Sequence, residues 1–263
     1  MERRDRFLPP YISTRLTARL LTILLLLTAA ISGLSAGFEI SQIQLLSSVD
    51  SYTEVDEETR WAHTFIRNSL LVARMALYAT IAVAFIAWLH RCRINARAFG
   101  CRRLRYPRIW AIIGFFIPIL NFFRPYQVVS EVWRASDPRA VETPVAWITM
   151  PVSRYVPAWW LMLLTSALLE TLAAGLVTHS GVTTDDLFAA RSIGVLVGIT
   201  AAASAVLAYL VISGIESSQQ EKWAIISRAE ADAEDPYPID PPPEPEPPAI
   251  TPRSIWRAHT ADS

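Results

Sequence analysis

Apolar residues along this chain are gathered into long blocks, and four of these blocks are about twenty residues long with few charges. At about 1.5 Å per residue, a helix of that length covers the roughly 30 Å hydrocarbon core of a bilayer. Because a helix satisfies its own backbone hydrogen bonds in lipid, each block is predicted to be a transmembrane helix. The predicted spans are residues 20–38, 69–89, 157–178 and 192–213.

A fifth apolar run, residues 109–123, is shorter and is interrupted by Pro118. A helix of this length reaches only about 22 Å, and the proline removes a backbone donor and kinks the helix. Arg108 and Arg124 flank the run, which favours keeping both of its ends on one side of the membrane. The pattern predicts a re-entrant or interfacial hairpin closed by Pro125, and a fifth, tilted span is the alternative.

The segment that follows, residues 125–136, is amphipathic and is predicted to be a helix at the membrane interface. Its apolar face holds Val128, Val129, Val132 and Trp133, and its polar face holds Gln127, Ser130, Glu131 and Arg134.

Positive charge is concentrated in alternate connecting segments. Residues 1–19 carry five arginines, residues 90–108 carry seven with no acid, and residues 124–156 carry four. The segments 39–68 and 179–191 carry only two and one, against six and two acidic residues. The positive-inside rule therefore places both termini and the middle loop in the cytoplasm, as expected for an inner-membrane protein.

This topology gives three regions. Residues 1–19 are a basic cytoplasmic amino terminus, and residues 20–215 are the membrane domain. Residues 216–263 are predicted to be a cytoplasmic extension of the last helix followed by a disordered tail rich in proline and acidic residues. The expected fold is an all-α integral membrane protein with four transmembrane helices plus the hairpin.

Motifs that carry chemistry are absent from the sequence. There is no phosphate loop, nucleophile elbow or paired-carboxylate motif, so an enzyme is not expected, and no cofactor is implied. Cys92 and Cys101 are predicted to be reduced thiols in the basic loop, and with His90 they match no familiar zinc spacing, so no metal is expected.

Two charges lie inside the predicted spans, Arg74 and Glu170. A charge in hydrocarbon is costly and by default suggests a function. Arg74 could extend to the headgroups, whereas Glu170 needs a partner, a proton or water. We expect Glu170 to be paired with Arg74 or protonated, and we favour a structural pair over an ion or proton pathway.

A second polar group is predicted at the cytoplasmic face, where it would hold the hairpin in place as a latch. In this prediction Arg91 or Arg134 pairs with Glu131, and Asn95 or Asn121 caps the broken helix. The alternative is the floor of a pocket for an anionic lipid headgroup, and the arginines of residues 91–108 could also contact such lipids. The candidate latch residues are Arg91, Asn95, Asn121, Gln127, Glu131 and Arg134.

Small residues recur at four-residue spacing in two spans, where they let helices approach closely. Gly33 and Gly37 lie in the first span, and Gly194 and Gly198 in the fourth. The simplest prediction is that these two faces pack on each other, and homodimerisation through one of them is the alternative.

The region around the hairpin resembles a family of bacterial membrane proteins, domain of unknown function 4328. The resemblance covers about residues 50–215 and implies the membrane location and fold, but no activity. The chain departs from the family at Phe115 and Phe116, where members often have tryptophan. The residues that carry the resemblance are Trp88, Arg91, Asn95, Gly100, Pro107, Trp110, Gly114, Pro118, Asn121, Pro125, Gln127, Glu131, Trp133, Trp159 and Trp160.

These features favour a non-enzymatic structural or partner-binding role at the inner membrane, with the bilayer and an unknown membrane partner or a second copy as partners. One alternative is a small transporter or channel component that uses Glu170 and the re-entrant segment. Another is a lipid-binding or lipid-modifying protein. Nucleic acid is not an expected partner, because the basic loop lacks interleaved aromatic residues for base stacking.

Overall fold

The computed structural model describes residues 9–48, 56–105, 122–178 and 182–234, and every regular element in these ranges is helical. The all-α prediction is confirmed for this part of the chain. The predicted hairpin, except for its last two residues, and the predicted tail from residue 235 onward lie outside the described residues. The helices are α1 (Arg15–Ser47), α2 (Glu57–Ala98), α3 (Arg124–Ala135), a short 3₁₀ helix (Ala146–Thr149), α4 (Tyr155–Leu176) and α5 (Thr184–Glu234).

Four helices, α1, α2, α4 and α5, are long and apolar enough to cross a membrane. They contain the four predicted spans, apart from the last two residues of the third. Three of them are much longer than a span requires: α1 has 33 residues, α2 has 42 and α5 has 51. At about 1.5 Å per residue these are roughly 50 to 75 Å long, so they extend beyond a 30 Å core.

The chain divides into two units, residues 1–226 and residues 227–263. The first unit holds α1 to α4 and most of α5. In the second unit, the described residues 227–234 are the last turns of α5.

Both ends of α2 follow from local sequence. Asp56 caps its start by accepting a hydrogen bond from the backbone N–H of Thr59 at 2.8 Å, and this bond holds the pKa of the Asp56 carboxyl below its ordinary value. At the other end Gly100 adopts a φ of 76°, a left-handed conformation that glycine reaches without a Cβ clash. Cys101 N–H then bonds to Ala96 O at 3.1 Å, which closes the turn that ends the helix.

α1 and α5 pack against each other in antiparallel orientation. A methyl group at Gly198 would lie 2.7 Å from both Ala36 Cβ and Ser32 O, so the backbones approach closely there. Gly194 similarly faces the Glu39 side chain. The predicted packing of the first span on the fourth is therefore present, and it uses the two glycines of the fourth span.

The first span contributes different residues from those predicted. A methyl group added at Gly33 or Gly37 would meet nothing within 4 Å, and both glycines lie on the exposed face of α1. The contact is made instead by Ser32 and Ala36, which are buried. Adjacent residues on a helix project about 100° apart. A set of residues shifted by one position, from Gly33 and Gly37 to Ser32 and Ala36, therefore lies on a different face of α1.

α2 and α4 form a second antiparallel pair. Arg74 on α2 contacts Glu170 on α4, and Phe85 contacts Trp159 with ring centroids 5.7 Å apart. The two contacts are separated by the same number of residues on both helices, so the register is constant between them.

α3 is buried on both of its faces, which differs from the predicted interfacial helix. Val128 and Val129 have no exposed surface, as the apolar face requires. On the polar face, however, Ser130 is only 9% exposed and Glu131 only 6%. The polar face of α3 packs into the protein because Glu131 has an arginine partner there.

Candidate functional site

A cluster of buried polar residues lies where the amino-terminal segment, α2, α3 and α5 meet, and we call it the Asn95 cluster. It is held by hydrogen bonds between residues that are far apart in sequence. Its members are Thr14, Arg93, Asn95, Glu131, Ser136, Glu216, Gln219 and Lys222, each at most 9% exposed.

Asn95 is at the centre of this cluster and has no exposed surface. Its Oδ1 accepts from the backbone N–H of Ile12 at 2.9 Å, and its Nδ2 donates to Ile12 O at 2.9 Å. The same Nδ2 donates to Gln219 Oε1, also at 2.9 Å. The side-chain amide therefore attaches the segment before α1 to α2 and α5, rather than capping a broken helix as predicted.

Gln219 continues the network from α5. Its Nε2 donates to Ser136 Oγ at 3.1 Å and to Cys92 O at 3.2 Å. Ser136 Oγ in turn donates to Val132 O at 2.7 Å. Both N–H donors of the Gln219 amide are therefore in use within the protein, and its oxygen already accepts from Asn95.

Glu131 pairs with Arg93, and the prediction that Arg91 or Arg134 is its partner is wrong. Arg93 Nη1 lies 2.6 Å from Glu131 Oε2, with the two side chains 2% and 5% exposed. The other carboxylate oxygen accepts from the backbone N–H of Arg105. Arg91 is exposed and Arg134 is half-buried, because Arg93 is the arginine on the buried face of α2.

The remaining latch candidates take other positions. Gln127 is half-buried and accepts from Arg124 Nη1 at 3.1 Å. Pro125 is buried at the first turn of α3, where its missing N–H costs nothing. Pro118 and Asn121 lie outside the described residues.

Lys222 on α5 is buried without an acidic partner in the described ranges. Its Nζ donates to Ala135 O at 2.9 Å and lies 5.6 Å from the centre of the Phe99 ring. The Sγ of Cys101 is 4.0 Å away. Burial raises the pKa of the Cys101 thiol, and the nearby ammonium opposes that rise only in part.

The amino-terminal segment makes further contacts with α5. Thr14 Oγ1 donates to Glu216 Oε2, and Arg15 Nη2 donates to Gln220 Oε1 at 2.9 Å. Tyr11 stacks on Trp223, with centroids 5.1 Å apart. Burial raises the pKa of the Tyr11 hydroxyl, and the negative charge of Glu216 raises it further.

Arg74 and Glu170 lie together, in the middle of α2 and α4. Arg74 Nη2 is 2.7 Å from Glu170 Oε2, and the two side chains are 13% and 45% exposed. The Arg74 guanidinium also lies 5.9 Å from the centre of the Tyr78 ring. The pair neutralises two charges inside apolar helices, which is one of the two states expected for Glu170.

Four aromatic residues separate this ion pair from the Asn95 cluster along the seam between α2 and α4. We call them the aromatic layer: Phe85, Trp88, Trp159 and Trp160. Successive rings have centroids 5.4 to 5.7 Å apart, and each side chain is at most 9% exposed. In the described part of the chain, this seam is filled with apolar side chains.

The predicted basic loop, residues 90–108, is helical up to Ala98, because α2 continues through it, and most of its described arginines are at the surface. Arg91, Arg97, Arg102, Arg103 and Arg105 are exposed, whereas Arg93 is withdrawn into the ion pair with Glu131. Both cysteines are free and buried, and no group of three His, Cys, Asp or Glu that could hold a metal occurs among the described residues.

Sequence reasoning missed Arg93, Gln219, Lys222, Glu216 and Thr14. Lys222 carried a signal, because it is the chain's single lysine against 23 arginines. A structure that needs a compact ammonium inside a crowded site would retain lysine there. The other four residues lie beyond the predicted spans. Polar residues are common there, so they do not indicate a site.

Comparison with known proteins identifies one family. The model of the family described as Domain of unknown function (DUF4328) matches residues 52–217. No curated protein and no solved structure matches the chain. The matched region begins just before α2 and ends in α5, so it includes the ion pair, the aromatic layer and most of the Asn95 cluster.

Proposed function

We propose that this chain, which belongs to the DUF4328 family, is a multi-pass inner-membrane protein with a non-enzymatic, partner-binding role. In this proposal the Asn95 cluster and both termini are on the cytoplasmic side, and the exposed arginines of the basic loop meet anionic lipid headgroups. The four apolar helices and the distribution of arginine support the orientation.

The observation that carries the proposal is the aromatic layer. A transporter that used Glu170 would need a polar path from the ion pair towards the opposite end of the bundle. Phe85, Trp88 and Trp159 occupy the seam where that path would run. Beyond it, Asn95 and Gln219 bond to each other and to the protein backbone. A packed interior suits a protein that acts through its surfaces.

Transport through Glu170 is the second candidate, favoured by the 45% exposure of that side chain within an apolar helix. The two candidates differ in what replacing the pair would do. If the pair is structural, Arg74→Met and Glu170→Met should each destabilise the protein, and the double variant should recover most of the loss. A transporter would lose its activity in all three variants.

The decisive measurement uses purified protein in proteoliposomes, with flux followed by a trapped pH-sensitive dye. We expect wild-type and double-variant vesicles to hold an imposed proton gradient as well as empty vesicles do. Dissipation by the wild type, abolished in the double variant, would refute the partner-binding role and establish transport.

The orientation is tested separately by introduced cysteines, because the native thiols are buried. Cysteines at Leu45 and Asp185 should react with an impermeant maleimide in intact cells. Cysteines at Phe115 and Ile250 should react only after permeabilisation. Labelling of the Ile250 position in intact cells would place the tail outside and favour the five-span alternative.

The partner-binding role itself is tested by a photo-crosslinking amino acid at Arg97, which is exposed in the basic loop, with Leu26 on the apolar face of α1 as the matched control. We expect a discrete crosslinked protein from position 97 in cells, absent from position 26. Crosslinks to lipid alone at both positions would contradict the role.

A further inference from the structure

At the opposite end of the bundle from the Asn95 cluster, α1, α2 and α5 line a partly open cavity of about 160 Å³, which we call the Gln42 pocket. Apart from Phe38, its lining residues lie beyond the predicted spans. Its apolar lining residues are Phe38, Leu46 and Leu187.

The other lining residues of the Gln42 pocket are polar or basic. Gln42, His63, Arg67 and Arg191 all line it, and no described lining residue is acidic. A carboxylate does approach this lining from outside the cavity, because Glu39 Oε2 is 3.5 Å from Arg191 Nη1. That distance is long for a charge-assisted hydrogen bond, so the Arg191 guanidinium keeps donors for a closer anionic partner.

Two buried nitrogen atoms of this lining have no hydrogen-bond partner among the described residues: Gln42 Nε2 and His63 Nδ1. Gln42 is only 5% exposed, and a buried donor without a partner destabilises the folded protein. The His63 ring packs at 86° to the Phe38 ring, with 5.9 Å between centroids. Buried polar groups without partners in a cavity indicate that something else completes their bonding.

We propose that the Gln42 pocket binds a small organic acid with one carboxylate and an apolar body about the size of a six-membered ring. The carboxylate lies against Arg191 and accepts a hydrogen bond from Gln42 Nε2. The apolar body packs on Phe38, Leu46 and Leu187. The size follows from the volume, since cavities of roughly 150 Å³ bind benzene.

This inference goes beyond the proposed function and does not depend on it, because the pocket is on the far side of the aromatic layer. A ligand held by three helices would fix the spacing of their ends. The mixed lining also makes inorganic phosphate a poorer ligand, since it leaves the apolar wall against water.

The test uses purified full-length protein in detergent, with binding measured by calorimetry and by the shift in melting temperature. The probes are sodium benzoate, benzyl alcohol as its uncharged analogue, and inorganic phosphate. We expect benzoate to bind and raise the melting temperature, and the other two to bind at least about tenfold more weakly, given that a hydrogen bond to a charged group contributes about 1.5–3 kcal/mol.

The variants are Gln42→Leu, which removes one donor at similar volume, and Arg191→Gln. The control is Gln44→Leu, the same change at an exposed position two residues away on α1. We expect Gln42→Leu to weaken benzoate binding about tenfold, Arg191→Gln to abolish it and Gln44→Leu to leave it unchanged. Thermal melting without ligand checks that each variant is folded. If Arg191→Gln does not fold, the comparison of Gln42→Leu with Gln44→Leu still tests the proposal.

Equal benzoate affinity in the Gln42→Leu and Gln44→Leu proteins would overturn the proposal, as would the absence of any benzoate binding. A second arm adds phosphatidylglycerol to the same proteins. Stabilisation by this lipid that depends on Gln42, with none by benzoate, would also overturn it and assign the pocket to a lipid headgroup.

Discussion

Asn95 holds both backbone polar groups of Ile12, donating to its carbonyl oxygen and accepting from its N–H, each at 2.9 Å. The two residues are 83 positions apart. One amide side chain thus satisfies both backbone groups of Ile12, as a neighbouring β-strand could. It attaches the segment before α1 to α2.

Replacing Asn95 should test this attachment. In Asn95→Asp the donor to Ile12 O and Gln219 Oε1 is lost, and a carboxylate faces two oxygen atoms. We expect a loss of about 2–4 kcal/mol of unfolding free energy, because each orphaned buried group costs about 1–3 kcal/mol. The measurement is unfolding in mixed detergent micelles, with hydrogen exchange at residues 9–14 as a local readout.

Arg91→Ala is the control for the Asn95 substitution, because Arg91 is one turn away on α2 and exposed. Its stability should match the wild type. Unchanged protection of residues 9–14 in Asn95→Asp would show that the amide does not hold the segment.

For the buried pair of Arg93 and Glu131, we expect that removing one partner lowers the unfolding free energy more than replacing both. Glu131→Gln leaves the guanidinium buried without a counter-charge, which costs about 3–5 kcal/mol, whereas an isosteric apolar replacement of both residues is much milder. We expect Arg93→Met combined with Glu131→Leu to be more stable than Glu131→Gln alone. Chemical unfolding of the three proteins gives the comparison.

Asp137→Asn serves as the matched control for Glu131→Gln, because the partner of Asp137 is Arg139, whose side chain is 68% exposed. Its effect should be far smaller than that of Glu131→Gln. Similar losses from both substitutions would mean that burial of the Arg93 pair has no special cost.

The close approach of α1 and α5 predicts opposite effects for two glycines. Gly198→Ala puts a methyl group 2.7 Å from Ala36 Cβ, so the helices must separate at a cost of about 1–3 kcal/mol. Gly33→Ala meets nothing within 4 Å and should be neutral or stabilising through helix propensity. Thermal melting of both variants checks the prediction, and equal effects would argue against this packing.

The buried Cys101 thiol predicts both slow alkylation and a pH dependence of stability. Its pKa is raised in the folded protein by burial, so the neutral thiol is favoured by folding. Its contribution is fully present below the unfolded thiol pKa of about 8.5 and is lost as pH rises through the folded value.

We therefore expect unfolding free energy to fall from pH 8 towards pH 10, and to fall less in Cys101→Ala. Mass spectrometry after iodoacetamide treatment should find the Cys101 peptide unmodified until denaturant is added. Rapid labelling of the folded protein at pH 8 would contradict the burial.

The helical fold and the positions of the four long apolar helices could be predicted from sequence, because hydrocarbon imposes a minimum helix length and excludes charge. The partner of Glu131 could not be predicted from sequence. Arg91 and Arg93 are both arginines on α2, and they differ only in the face of the helix from which they project. The face is set by contact with α3, which comes far later in the chain. Gly33 fails as a contact for the same reason, because the neighbouring Ser32 and Ala36 point towards α5.

Partners of Asn95 were harder still to predict. Ile12 contributes backbone atoms that no side-chain pattern reveals, and Gln219 lies on a part of α5 beyond the last predicted span. Family resemblance marked Asn95 as notable without indicating what it binds. These hydrogen bonds depend on how the segment before α1, α2 and α5 are arranged in the folded protein. Local sequence patterns do not indicate that arrangement.

The bond from Thr14 to Glu216 joins residues 202 positions apart. During synthesis the first of these leaves the ribosome long before the second exists, so the beginning of the protein must wait undocked while the intervening helices insert. A nascent chain that stops short of α5 lacks Glu216 and Gln219, the bonding partners of Thr14 and Asn95. The hydrogen bonds that attach the amino-terminal segment to α5 can therefore form only after the last helix has been synthesised.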